Sequence, residues 1–387
     1  MALTVVAGLR MCHKYGFCDN AMIPVANPLA EVSHLSGEIS NAIDRVVKSG
    51  TYILGHEVAA LEVDFASYLG VSHAVGVGSG TDGLALALRA LDIGPGDEVI
   101  TVSMTAVATV AAIEMVGARA VLVDVDHEYY TMSPKALEQA INRRTRAVIP
   151  VHLYGQAADM SQILRICDNH QIPVVEDGSQ AHGASLAGVS VGAMGLIGVF
   201  SCYPTKNLGA IGDAGLIVTN DASIAARLRR LRQYGWQYRN WSIEPGINSR
   251  LDDLQAAVLR VKLSHLNKMN ARRHQIAMIY SSAFARMPAQ VPLTRANSRH
   301  AWHIYALQLE ARDAFCRQLA SRGIGTSVHY PYPIHKQPAY KDRRFRRNAL
   351  NTTEYLCDRV VSLPIFPFMD DTSVEVVVDN VSEILNG

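Results

Sequence analysis

From about residue 55 to 220 the chain alternates two textures, and this constrains its fold more than any other feature. Helical patterns at residues 58–69, 81–91 and 105–116 are interleaved with short apolar runs at 73–77, 98–102, 120–125, 147–151 and 173–175. Further helices are predicted to start near Ser133 and Asp159. Runs of β-branched residues without polar alternation suit strands buried on both faces, and helices between them supply the crossovers of a parallel sheet. The pattern predicts an α/β fold with an open, doubly wound, mixed but mostly parallel sheet. At 387 residues the chain exceeds one ordinary core. A long helix is predicted over about 251–285. After Pro292 the texture changes to a strand at 301–309, a helix at 313–322, a strand at 325–330, a Pro-rich loop and a last helix from about Thr372. The expected organisation is an extension at residues 1–22 outside the ordered pattern, a large α/β domain at 23–260, and a smaller α+β domain at 261–387.

Composition narrows the function. A formal net charge of +1 gives no reason to expect nucleic-acid binding. The longest apolar stretch, residues 106–125, is broken by Glu114 and Arg119, so no membrane span is expected. Six cysteines without a C-x-x-C pair suit a reducing cytoplasm. Asp124 and Asp126 have no His or Cys at metal-ligand spacing, so no metal site is expected.

Three features carry chemistry. Gly78-Ser79-Gly80-Thr81-Asp82-Gly83 follows a strand and opens a helix, presenting free N–H groups and a positive helix end to a phosphate. A dinucleotide site would also need an acid at the end of the next strand, but Asp97 and Glu98 stand at its start, so the nicotinamide reading fails. Residues 172–178 end a strand in Glu176-Asp177, which alternation puts on opposite faces. Lys206 lies in a Pro/Gly loop, between apolar runs at 196–200 and 214–219. A partly desolvated amine loses its proton readily, and only a neutral amine forms a Schiff base. A phosphate turn, a strand-end carboxylate and a loop lysine are what pyridoxal 5′-phosphate requires.

The segments GSGTDGLALAL, GPGDEVITVSMTAVATVAAI, VHLYGQAADM, VVEDGSQAHGA, FSCYPTKNLGAIGDAG and GINSRLDDLQAAVLRVKL carry a resemblance to one family. In these blocks, in this order, the chain resembles the DegT/StrS sugar aminotransferases, of the aspartate-aminotransferase fold type (fold type I), from about Ile23 onward. The resemblance implies Lys206 as the Schiff-base lysine, Asp177 on the pyridine nitrogen and Gln180 on the ring hydroxyl. Gly80, Thr81 and Ser201 would hold the phosphate. Asn248 would reach the phosphate of a neighbouring subunit, which implies a homodimer. Tyr203, His329, Tyr330 and His335 would approach the sugar; a Pro-rich loop packed on the large domain reads equally well for the last three. His182 reads as a satisfied structural histidine. Two departures stand out: Ala106 replaces a frequent ring-stacking aromatic, and the family's EDAAQ is here Glu176-Asp177-Gly178-Ser179-Gln180. Family dehydratases replace the lysine with histidine, so Lys206 favours transamination.

The implied partners are glutamate as amino donor and a nucleotide-linked keto sugar, a dTDP-3-oxo-6-deoxyhexose aminated at C3. A C4-aminating relative and a non-catalytic, cofactor-holding regulator are the alternatives.

Overall fold

The computed structural model describes residues 22–340, 346, 347 and 349–386. The extension expected at 1–22 therefore lies outside the described residues, apart from Met22.

The alternating region forms one sheet with helices on both faces. Its strands are β1 (His73–Val77), β2 (Glu98–Val102), β3 (Arg119–Val123), β4 (Thr145–Val148), β5 (Val175–Asp177), β6 (Ile197–Ser201) and β7 (Gly215–Thr219). Their order is β3-β2-β4-β5-β6-β7-β1, with Arg346–Arg347 pairing parallel outside β3 and with β4 and β5 joined through the bridges Val148↔Val174 and Val151↔Asp177. All run parallel except β7, which is antiparallel to both neighbours. Alternate residues feed two cores. Ile100, Val121, Val148, Phe200 and Leu216 point into one, while Val99, Leu122, Ala147, Val199 and Ile217 point into the other. Burial on both faces explains why these strands read as unbroken apolar runs.

This topology sets the site. The C-terminal ends of β1, β5 and β6 lie on one edge of the sheet, where open α/β folds bind ligands. The Gly78 turn, Asp177 and Ser201 therefore share that edge. Because β7 returns antiparallel, the loop carrying Lys206 arches over the same edge.

A helix of 32 residues, Asp253–Phe284, packs Leu259 and Leu266 into the first core. Further along, its Ile276, Tyr280 and Phe284 enter a third core with Trp302, Phe315 and Val377. The division expected between 260 and 261 falls inside this helix. The C-terminal part pairs Tyr305–Gln308 antiparallel with Val360–Leu363. The strand expected at 325–330 is reduced to a single bridge, Ser327↔Ser362. Beyond it the backbone leaves the sheet, with the Tyr154 hydroxyl donating to the His329 carbonyl and Gln180 Nε2 donating to the Tyr330 hydroxyl. Among the described residues no helix is long and apolar enough to cross a membrane.

Candidate active site

The glycine turn follows a strand and opens a helix, as its sequence predicts. Helix Gly80–Ala90 starts after Ser79, whose hydroxyl accepts the Asp82 N–H at 3.1 Å. The N–H groups of Gly80 and Thr81 have no partner within the helix. A Cβ on Gly80 would sit 2.7 Å from Ser201 Cβ, so only glycine lets the turn and Ser201 meet. Ser249 Oγ braces the turn, accepting Gly78 N at 3.0 Å and donating to Asp82 Oδ2 at 2.7 Å. Its neighbour Asn248 is exposed, and its backbone bridges antiparallel to Gln233. Asp97 and Glu98, the acids of the rejected dinucleotide reading, instead pair with Arg146 and Arg144.

Glu176 and Asp177 do point opposite ways. Glu176 is fully buried and accepts the N–H groups of Gly192, Met194 and Gly195 at 2.6–2.8 Å. It also accepts His152 Nε2 at 3.0 Å, and that tautomer follows because His152 Nδ1 accepts Ala158 N. Glu176 is thus a structural anchor. Asp177, 4% exposed, accepts Thr109 Oγ1 at 2.9 Å on one oxygen and Ser179 N at 3.2 Å on the other. A carboxylate has about four acceptor positions, so Asp177 keeps capacity for one more strong donor.

Gln180 is oriented from both ends, its Oε1 accepting Tyr154 N at 2.8 Å and its Nε2 donating to Tyr330 OH at 2.8 Å. One amide N–H remains for a ligand. Lys206 is half-buried, and loss of hydration pulls its amine from 10.5 down to about 8, against the opposing pull of Asp177. Asn207 next to it is buried, its Nδ2 donating to Asn270 Oδ1 and Ala301 O at 2.8 and 2.7 Å. The loop is thereby pinned to the long helix, which holds the lysine in place. An amine-selective arylating reagent should accordingly modify Lys206 in cofactor-free protein with a midpoint at about pH 8. Peptide mass spectrometry across pH reads this, and a midpoint near that of surface lysines would contradict it.

The remaining expected residues divide. Tyr330 joins the group through Gln180. His329 lies beside it, its ring bonded to Ser362 Oγ at 2.8 Å, and burial with the Lys206 charge takes it down to about 4. Tyr203 is exposed. His335 is buried, with Nδ1 on Ser103 Oγ at 2.8 Å and Nε2 on Glu354 Oε1 at 2.9 Å, so both ring nitrogens are engaged structurally. His182 is buried as expected but not satisfied. Among the described residues neither ring nitrogen has a partner, and desolvation takes it down to about 3. Asp124 caps the helix Asn351–Arg359, accepting Thr352 N and Thr353 N. Ala106 forms the N-cap of the helix Val107–Met115, one turn before Thr109.

Sequence reasoning missed Thr109, Tyr154, Asn207 and Asn270. Thr105 and Thr109 are four apart in a helical pattern, bond each other at 3.1 Å, and could have been read as one polar face. Asn270 lies far along the chain and left no local trace.

Known proteins share this sequence and fold. The chain is 43% identical over 366 residues to the dTDP-3-amino-3,4,6-trideoxy-alpha-D-glucose transaminase of Streptomyces venezuelae, covering 94% of this chain and 97% of that one. It is 41% identical over 370 residues to the UDP-N-acetyl-3-dehydro-alpha-D-glucosamine 3-aminotransferase of Acidithiobacillus ferrooxidans, covering 95% and 100%. The solved structure of S. venezuelae DesV in complex with a ketimine intermediate superposes with a TM-score of 0.93 at 42% identity, covering 95% and 100%. With residues 33–382 matching its family model as well, the chain belongs to the DegT/DnrJ/EryC1/StrS aminotransferase family.

Proposed function

We propose that this chain is a pyridoxal 5′-phosphate-dependent aminotransferase that moves an amino group from glutamate to C3 of a dTDP-linked 3-oxo-6-deoxyhexose. The observation that carries the reading is one sheet edge bearing a lysine depressed to about 8 together with Asp177, Gln180 and the glycine turn. The residues fit the cofactor. Gly80 and Thr81 N–H groups and the Ser201 hydroxyl would hold its phosphate, Asp177 its pyridine nitrogen and Gln180 its ring hydroxyl. When bound, the group supplies an aldehyde for Lys206 and a charged ring that accepts electrons from the substrate carbon.

The chain's own residues do the rest. Neutral Lys206 Nζ takes the proton from the amino-bearing carbon of the donor, and it later returns a proton to C3 of the sugar. Thr109 Oγ1 and Ser179 N orient Asp177, so its carboxylate would keep a proton on the pyridine nitrogen without reorganisation. Tyr154 and Tyr330 fix the Gln180 amide. C3 regiochemistry is supported by relatives whose names specify 3-amino or 3-aminotransferase products.

The test is optical and chemical. The protein with bound cofactor should be yellow, its visible band should shift on adding glutamate, and the shifted form should revert on adding a dTDP-linked 3-oxo sugar. A yellow protein indifferent to every amino donor would support the regulator instead. Product bearing nitrogen at C4 would overturn the regiochemistry.

We also propose a cytoplasmic homodimer in which exposed Asn248 serves the phosphate site of a second copy. Mixing Lys206→Ala with Asn248→Asp subunits should then restore activity to about a quarter of wild type, since half the dimers carry one intact site of two. No recovery after subunit exchange would place Asn248 in its own chain's site.

A further inference from the structure

A cavity of about 170 Å³ lies beside the Lys206 loop, with Ala26, Thr205, Arg273, His303, Ser327 and His329 in its wall. Pockets for drug-sized ligands run to roughly 300–1,000 Å³. This one is too small for a whole nucleotide sugar and suits a short-chain acid.

Its charge is unbalanced. The helix Asp253–Phe284 buries both Lys262 and Arg273, and both turn to one buried carboxylate, Glu31. Lys262 Nζ lies 3.1 Å from Glu31 Oε2, and Arg273 Nη2 lies 3.6 Å from Glu31 Oε1. Among the described residues no other ion pair is formed by either cation. Two buried cations thus share one anion. Arg273 Nη1 donates to Ile365 O at 2.8 Å, while its Nε–H has no partner. An unsatisfied buried donor costs about 1–3 kcal/mol, and more when charged. The other polar wall groups do not compete as cations. Asn207 Oδ1 lies 3.1 Å from His303 Nδ1. The Asn207 amide nitrogen is committed elsewhere, so that oxygen accepts from the ring. Burial and the nearby Lys206 charge hold both His303 and His329 below the ordinary histidine range.

We propose that this cavity receives a carboxylate of the amino donor, with Arg273 as its counter-ion. An anion there would balance the second cation, and the cavity adjoins Thr205, the residue before Lys206. The proposal rests on the aminotransferase reading above, and its test separates the two.

Calorimetry on cofactor-free protein with glutarate, a dicarboxylate that has no amine to react, reads the site directly. Saturable binding is expected, weakened at least about tenfold in Arg273→Gln. Because Arg273 also anchors the fold, Ala26→Phe, which fills the cavity without touching a buried charge, should give the same loss. In cofactor-loaded protein, both variants should need at least about tenfold more glutamate for half-maximal spectral conversion. The assignment is overturned if glutarate does not bind the wild type, or if Ala26→Phe binds it as tightly as the wild type does. A wild-type protein that takes no cofactor, or whose bound cofactor ignores glutamate, sinks the aminotransferase reading instead.

Discussion

Replacing Lys206 with alanine should lower turnover by about 10⁴-fold or more, since in the proposed mechanism one substitution removes both the cofactor's attachment point and the proton carrier. The fold should not suffer with it. The drop from 10.5 to about 8 means that the folded state disfavours the charged amine by about 3 kcal/mol. The sign follows from proton counts. Between about pH 8 and 10.5 the unfolded lysine is protonated more than the folded one, so stability rises with pH in that window. Below about pH 8 the penalty is present in full. Cofactor-free Lys206→Ala should therefore be at least as stable as wild type at pH 7 and should lack that rise. Steady-state kinetics paired with denaturation across pH checks both parts. Retained turnover would remove Lys206 from the mechanism, and a collapsed variant would make its role structural.

A second large effect is expected one residue before Asp177. Glu176→Ala should destabilise the protein by about 3–5 kcal/mol, the range for breaking a buried charged network from one side. Three backbone N–H groups, that of Gly192 buried and those of Met194 and Gly195 part-buried, would lose their acceptor together with the His152 ring. The Gly192–Gly195 turn, which packs under β6, should loosen first. Denaturation midpoints and amide exchange at those residues measure this, and a loss below about 1 kcal/mol would show that water replaces the carboxylate. Asp177→Ala should behave in the opposite way, sparing the fold and removing activity, because Asp177 has only the Thr109 hydroxyl and one N–H to lose.

That contrast marks how far local sequence reaches. Alternation alone separates Glu176 from Asp177 by face. Which face meets ligand depends on the neighbours of β5 in the sheet, and these come from residues before 150 and after 195. The strands at His73–Val77 and Glu98–Val102 are legible because burial on both faces leaves a continuous apolar run. The expected strand at 325–330 is reduced to one bridge, and its end is held by contacts from residues far back in the chain: Tyr154 on the His329 carbonyl and Gln180 on the Tyr330 hydroxyl. His182 shows the same limit: its burial follows from its neighbours, but whether its ring finds partners does not.

By itself the sequence determined the α/β alternation, the glycine turn, the strand-end acid and the loop lysine, each readable from spacing and chemistry within a dozen residues. Only the tertiary structure decided that these stand on one sheet edge, that Asn207 is pinned by Asn270, and that Lys262 and Arg273 share Glu31. Hydration loss and charge pairing depend on distance in space, and residues far apart along the chain set both.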